Sequence, residues 1–418
     1  MSALQSPARG RAGGFADWIG AAAQRRRAVT EAFVDTFAAW GYEYLATPLV
    51  EPLETVAAGV RGGLQTQLFR FMDADGSLLA LVGERTVSVA RVVATQLQGA
   101  TMPLRLCYAG PVLFNRPPLG GRRREAMQAG CELIGHPGLA ADAECIAVAA
   151  AALQRAGIAG VQIDVGHADL VPALLDSAGL DAESRERVAA ALRRRDLVAV
   201  EDALSGTAAG DAERDLLLAF PTLRGGREIL DSAGARLTDP RPHRVLADLA
   251  ELWEVLDRHG ITGSVHLDLG AVRDWDYYTG PTFELFSADL GFPLGAGGRY
   301  DRLLEAFGAG APATGFVLHV DRCCDALMRG SGEDGSRRVL RLGYSGERAQ
   351  EAPAVAARLR EAGVVVALDL EPTAGRPDQP VTDGAAHLGD DGALRWRYRG
   401  RDGSGVEGLL ALNREDAR

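Results

Sequence analysis

The chain has 418 residues, 47% hydrophobic and 24% charged, which excludes a disordered or fibrous protein and suggests two or three domains with sizeable cores. Its formal charge of −11 opposes nucleic acid unless a local basic patch intervenes. All 45 basic residues other than histidine are arginine, so no lysine exists to serve a P-loop, a Schiff base or a Ser-Lys dyad.

The five cysteines, Cys107, Cys131, Cys145, Cys323 and Cys324, form no C-x-x-C pair and have no histidine at finger spacing. Neither a metal site nor a disulfide framework is expected, and a reducing cytoplasmic setting suits the pattern. The Ala-rich run over 145–153 is far too short to span a bilayer, so no membrane partner is expected. Residues 1–14 are small, polar and dotted with arginine, which reads as a flexible tail without a signal segment.

In chain order, Val29, Phe33, Phe37 and Trp40 recur at helical spacing and predict an amphipathic helix over 21–40, stopped by Gly41. Residues 42–50 predict a strand, with Pro48 and Pro52 confining it to an edge. Further strands are predicted over 68–72, 78–81, 104–109 and 131–134, with a hairpin turn at 73–76, and helices over 84–97 and 142–156. From about 175 to 259 the pattern is helical, as in an inserted helical segment. Strands return over 264–269, 277–284 and 315–319. The Gly/Ser/Asp-rich stretch 330–336 predicts a linker separating a core over 15–330 from a small domain over 331–418. That domain reads as a βαβ unit over 338–344, 349–362 and 364–370, followed by a hairpin of 393–398 against 406–412 turning at 402–405.

Three polar islands interrupt apolar sequence. Arg273-Asp-Trp-Asp-Tyr-Tyr-Thr-Gly280 packs a cation, two carboxylates and two phenols into a strand entrance, either as a capped turn or as part of a site. Gly295-Ala-Gly-Gly-Arg-Tyr-Asp301 is either a tight turn or a backbone that something approaches closely. The third island, 110–135, holds Arg122, Arg123 and Arg124, which suit a solvated loop or a phosphate contact. It also holds Gln128, Gly130 and Glu132, whose period-two spacing puts an amide and a carboxylate on one strand face.

In this order the islands resemble the core of class II aminoacyl-tRNA synthetases, specifically that of histidyl-tRNA synthetase, over roughly 14–328. Residues 47–52 resemble motif 1, the dimer-forming element; 110–135 resemble motif 2; 272–280 and 296–301 resemble the two histidine-specific motifs; 315–322 resemble motif 3. The resemblance implies an α+β fold, an antiparallel sheet core flanked by helices, with a small C-terminal α/β domain similar to part of an anticodon-binding domain. It implies histidine-binding positions at Glu84, Thr86 and Gln128 around the ammonium, Glu132 and Tyr278 on the imidazole, Arg273 on the carboxylate, and Tyr277 and Tyr300 in the pocket wall.

The nucleotide positions depart from that pattern. Phe114 stands where the family has the Arg that grips the α-phosphate, Arg116 where it has an adenine-reading Glu, Ala126 where an aromatic ring stacks on adenine, and His319 where motif 3 has Gly. Arg122 and Arg322 still match phosphate-contacting arginines. Leu81-Val-Gly-Glu84 replaces Leu-Arg-Pro-Glu. Losing one preorganised clamp typically costs about 10²–10³ in rate, so adenylation is expected to be crippled. Residues 331–418 carry 13 arginines against 15 carboxylates, a poor footprint for tRNA.

A synthetase-like chain keeping a histidine pocket without nucleotide chemistry resembles the regulatory subunits of ATP phosphoribosyltransferase. That resemblance implies a non-catalytic subunit without cofactor, forming a homodimer within a hetero-oligomer with a short-form catalytic subunit, and L-histidine as feedback effector. An active histidyl-tRNA synthetase with divergent motif 2 and a stand-alone histidine-binding module are the alternatives.

Overall fold

The computed structural model describes residues 10, 12–59, 66–117, 123–207, 209–237, 239–270, 277–288, 290–330, 339–372, 384–398 and 400–415. The chain divides into two compact units, Met1–Glu333 and Asp334–Arg418.

The first unit opens with α1 (Gly20–Ala39), whose Val29, Phe33 and Phe37 form one buried stripe, as their helical spacing requires. The chain then gives β1 (Glu43–Tyr44), β2 (Val50–Pro52) and α2 (Leu53–Gly59), so the single strand expected over 42–50 is two short strands in different sheets. Thr47-Pro48 lies between them, where proline cannot donate to a ladder. β3 (Arg70–Met72) and β4 (Leu78–Leu81) pair as the expected hairpin, Gly76 supplying a positive φ of 88° at its turn, and β2 pairs with β4 at the sheet edge.

α3 (Arg85–Gln96) leads into the long pair β5 (Leu104–Leu113) and β6 (Glu125–Ile134), then α4 (Leu139–Arg155) and β7 (Gln162–His167). The inserted segment begins slightly earlier than its sequence suggested, with α5 (Leu170–Ser177), α6 (Ala182–Arg193), α7 (Leu197–Leu204) and α8 (Asp211–Ala219). It continues through a two-residue strand, β8 (Arg224–Gly225), α9 (Glu228–Gly234) and α10 (Pro240–Arg258). β9 (Val265–Asp268), β10 (Pro281–Phe286), β11 (Gly295–Arg299), β12 (Ala313–His319) and α11 (Val320–Gly330) complete the unit.

Nine of these strands form one sheet in the order β1-β5-β6-β12-β11-β10-β7-β9-β8. It is antiparallel from β5 to β7, with parallel pairs β1–β5 and β7–β9 towards its flanks. Alternation along β6 assigns its two faces. Ala129, Cys131 and Leu133 enter the core formed with α1 and the Ala-rich α4, while Gln128, Gly130 and Glu132 face the other way. The small side chains of α4 let it lie close beneath the sheet.

The Gly295–Asp301 island is not a turn. Its first five residues are β11, in the middle of the sheet, and a Cβ on Gly297 would meet the Gly315 carbonyl at 2.4 Å and the Phe283 ring at 2.6 Å. The close approach that its glycines permit is made by the neighbouring strands. Arg299 then ends the strand in a buried ion pair, its Nη2 donating to Asp142 Oδ2 at 2.6 Å. Tyr277 and Tyr278 precede their strand instead of opening it, since β10 starts at Pro281.

The second unit holds β13 (Leu340–Tyr344), α12 (Ala352–Glu361) and β14 (Val366–Leu368) as a parallel βαβ unit, then β15 (Ala385–Leu388), β16 (Leu394–Tyr398), β17 (Arg401–Ser404) and α13 (Val406–Glu415). The strand order is β14-β13-β15-β16-β17. The expected hairpin of 393–398 against 406–412 is overturned: β16 pairs with β17, and 406–412 is helical. Two signals explain the correction. Leu409, Leu410 and Leu412 put their bulk on a helix face buried in this unit's core. Gly403 lies flat under the Trp396 ring, whose Nε1 donates to the Gly405 carbonyl at 3.0 Å. The linker expected over 330–336 falls outside the described residues except Gly330, and so does most of the tail.

Candidate functional site

The outward face of β6 and its partner β12 form the floor of a cavity of about 740 Å³, well within the roughly 300–1,000 Å³ of small-molecule sites. Register fixes the floor: Glu132 pairs with Gly315, Gly130 with Val317, and Gln128 with His319. The glycines are steric requirements. A Cβ on Gly315 would lie 1.9 Å from Glu132 Oε2, and one on Gly130 would strike the Tyr108 hydroxyl at 2.6 Å.

One end of the cavity is acidic and phenolic. Glu84 is the residue before α3; its backbone is extended and its carboxylate does not cap the helix. It accepts instead from the Tyr277 hydroxyl, at 2.9 Å to Oε1. The start of α3 is anchored by Arg85, whose guanidinium donates to Thr47 Oγ1 and the Pro111 carbonyl, both at 2.9 Å. Glu132 accepts from the Tyr108 hydroxyl at 3.3 Å and from the Tyr300 hydroxyl. The Tyr277 ring packs edge-on against Tyr300, with centroids 5.9 Å apart, and beside Tyr278 at 4.8 Å.

Burial dominates the electrostatics of this end. Glu84 is 8% exposed and its pKa is pushed up to about 7, against the opposing pull of the Tyr277 and Thr86 hydroxyls. Glu132 is 1% exposed and is pushed up to about 8; the Tyr300 and Thr86 hydroxyls oppose the shift and the charge of Glu84 adds to it. Two acceptors here, Glu84 Oε2 and Gln128 Oε1, are buried without a hydrogen-bond partner. Stranded acceptors beside reluctant carboxylates suit a ligand that brings N–H donors and positive charge.

The other end is cationic. Phe114, Arg116, Ala126, His319 and Arg322 all line it. The Arg116 guanidinium lies 4.7 Å over the Phe114 ring and donates to the Arg123 carbonyl at 2.7 Å. Arg322 donates to the Pro293 carbonyl at 2.7 Å and covers the Phe292 ring at 5.3 Å. Burial, with Arg322 and Arg116 nearby, holds the His319 pKa down at about 3, so its imidazole is neutral near neutral pH. The buried Asp321 accepts from Arg26 Nε at 2.8 Å and the Met127 N–H at 3.0 Å, and the guanidinium groups of Arg26 and Arg123 lie 5.1 and 4.6 Å from the centre of the Trp18 ring.

Thus Glu84, Thr86, Gln128, Glu132, Tyr277, Tyr278, Tyr300 and Arg322 line one cavity. Arg122 and Arg273 lie outside the described residues. Sequence reading missed Tyr108 and Asp321, and took Arg123 only as part of an arginine run suiting a solvated loop or a phosphate contact. Tyr108 was accessible in principle, since it pairs with Gly130 on the cavity face; the other two depend on contacts with distant α1 and α11. Among the described residues, no group of three or more His, Cys, Asp or Glu is placed to hold a metal, and no helix is long and apolar enough to cross a membrane.

An antiparallel-centred sheet with this cavity on one face, entered by motif-like strands from both sides, defines a class II aminoacyl-tRNA synthetase-like protein. The family model described as histidyl-tRNA synthetase matches residues 14–323. A Geobacter sulfurreducens protein named ATP phosphoribosyltransferase regulatory subunit is 38% identical over 80% of this chain and 77% of its own length. A Moorella thermoacetica protein of the same name is 37% identical over 88% and 92%. A solved Bacillus halodurans structure, titled as an ATP phosphoribosyltransferase regulatory subunit/histidyl-tRNA synthetase, superposes with a TM-score of 0.81 at 31% identity, covering 90% of this chain and 95% of that one. The chain therefore belongs to the histidyl-tRNA synthetase family, in the group that includes the ATP phosphoribosyltransferase regulatory subunits.

Proposed function

We propose that this chain is a regulatory subunit of ATP phosphoribosyltransferase, acting in histidine biosynthesis without catalytic activity of its own. In this reading it joins a short-form catalytic subunit in the cytoplasm, is required for that subunit's activity, and carries feedback inhibition by L-histidine. The observation supporting it most directly is the polarity of the cavity. Glu84 Oε2 and Gln128 Oε1 are without donors at one end, while the other is lined by Phe114, Arg116, Ala126 and His319, which by resemblance replace the family's nucleotide-binding residues.

Histidine would place its ammonium on Glu84, Thr86 and Gln128 and its imidazole on Glu132 and Tyr278, with Arg273 on its carboxylate. Regulation follows if the effector binds the active and inhibited states of the complex with different affinity. A homodimer within the hetero-oligomer accords with the exposed apolar side chains of the motif 1 region, Tyr44, Leu49 and Val50, and of the adjoining hairpin, Phe71, Met72 and Leu78.

Co-expression with a short catalytic chain tests the reading. The two are expected to co-purify, with phosphoribosyl transfer requiring this chain and falling on addition of histidine. Robust histidine-dependent exchange of pyrophosphate into ATP by this chain alone would instead identify an active synthetase. Histidine binding without any association would leave a stand-alone binding module.

A further inference from the structure

A second cleft, of about 520 Å³, opens between α10, the end of β7 and the start of α4, and it shares no lining residue with the first. His167, the last residue of β7, lines it and is only 7% exposed. Its Nδ1 accepts from the Asp169 N–H at 3.1 Å, which puts the ring proton on Nε2. Burial holds the pKa of His167 down at about 4, so near neutral pH the ring is uncharged and Nε2 is a donor. Among the described residues Nε2 makes no hydrogen bond; Asp248 Oδ2 lies 3.9 Å from it, which is too far.

The charged side chains around the cleft divide into those already paired and those not. Arg241 bonds to Asp169 and Asp176, and Arg299 to Asp142 and Asp301. Arg244 makes only a long bond to the Pro240 carbonyl, at 3.5 Å. Asp248 and Glu251 stand one turn apart on α10 and meet no arginine within ion-pair distance among the described residues. Burial, and then the charge of Glu251, raise the Asp248 carboxyl above its ordinary range, as expected of a carboxylate short of a counter-charge.

We propose that this cleft binds a free α-amino acid, with its carboxylate on His167 Nε2 and Arg244 and its ammonium on Asp248 and Glu251. Both groups are needed. An anion alone would meet two carboxylates, and an amine alone would leave the buried Nε2 proton without an acceptor. The 3.9 Å between Nε2 and Asp248 Oδ2 suits a ligand that sets an acceptor and a donor side by side. A single water could span that gap, but it takes only about 30 Å³ and leaves Arg244 and Glu251 unmatched. One unpaired arginine against two unpaired carboxylates leaves a negative balance, which favours a cationic side chain over a neutral or an acidic one.

Saturation-transfer NMR titrations of the full-length chain at low salt test this. The titrants are lysine, alanine, glutamate, acetate and methylamine. Lysine is expected to bind more tightly than alanine, and alanine more tightly than glutamate. Asp248→Asn and Arg244→Gln each remove one charge-assisted contact and should weaken lysine binding about tenfold or more. Arg27→Gln, on the distant surface of α1, should leave it unchanged. His167→Phe removes the Nε2 donor and should weaken lysine and alanine alike. Should that buried substitution melt early by circular dichroism, the two exposed variants carry the test. Absence of lysine and alanine binding, binding indifferent to both exposed variants, glutamate binding tightest of the three amino acids, or acetate or methylamine binding as tightly as alanine overturns the proposal.

Discussion

Gln128 and His319 stand directly opposite each other in the β6–β12 ladder, the amide with an unpartnered Oε1 and the imidazole held neutral beside two arginines. This cross-strand pair marks the border between the acidic and cationic ends of the cavity. Glu132 sits four residues further along the same strand, about 13 Å away at the usual rise.

The acidic end should respond to removal of one charge. Glu132→Gln keeps the shape and leaves the Tyr108 and Tyr300 hydroxyls an acceptor, but removes the carboxylate. A hydrogen bond to a charged group contributes about 1.5–3 kcal/mol, so histidine affinity should fall roughly ten- to a hundredfold. Isothermal calorimetry of the variant checks this, and unchanged affinity would remove Glu132 from the binding set.

The same carboxylates predict a pH dependence. Both folded pKa values lie above the ordinary 4.5, at about 7 and about 8, so the unfolded chain loses these protons first. The stability they contribute is fully present below about pH 4.5 and is lost as pH rises to about 8. The buried His167 and the half-buried His319 are shifted down and act in the opposite sense, below pH 6.5. Between pH 6.5 and 8.5 the free protein's melting temperature should fall, while the increase on adding histidine should grow. Glu132→Gln should flatten both trends; a wild-type profile without slope would contradict the assignment.

Gly315→Ala tests the floor. Its Cβ would overlap Glu132 Oε2 at 1.9 Å and the Cys131 carbonyl at 2.5 Å, and backbone in mid-sheet cannot move aside easily. Overpacking of this kind costs about 1–3 kcal/mol. Chemical denaturation should show that loss, accompanied by weaker histidine binding as Glu132 is displaced. A variant as stable as wild type with full binding would show the floor to be pliable.

Arg299 and Asp142 are 5% and 1% exposed and pair across the fold. Truncating one partner of a buried pair leaves the other charge stranded, at a cost of about 3–5 kcal/mol. Arg299→Met should lower the urea midpoint of the first unit by a corresponding amount, whereas Arg27→Met, in an exposed i,i+4 pair, should change it little.

Period-two and helical spacing were enough to place α1, α3, most of β5, the inner part of β6, α4 and the βαβ unit, because each buries a regular face, whereas the β3–β4 hairpin, with Phe71, Met72 and Leu78 exposed, was legible from its turn residues. The errors arose where burial was set by partners distant in sequence. Gly295–Arg299 carries no alternation because both of its faces are crowded by neighbouring strands, so only the assembled sheet reveals it as a strand. Residues 406–412 have enough branched and long apolar side chains for either structure, and the Gly403–Trp396 contact ended the hairpin early.

The sequence by itself determined the chemical inventory: carboxylates, an amide and tyrosines in motif order, and four substitutions at nucleotide positions. Tertiary structure decided what those groups experience. Burial beneath the sheet's tyrosines raises Glu84 and Glu132, strand register sets His319 across from Gln128, and pairing leaves two acceptors stranded. Such properties depend on desolvation and neighbour distance, which residue order alone does not encode.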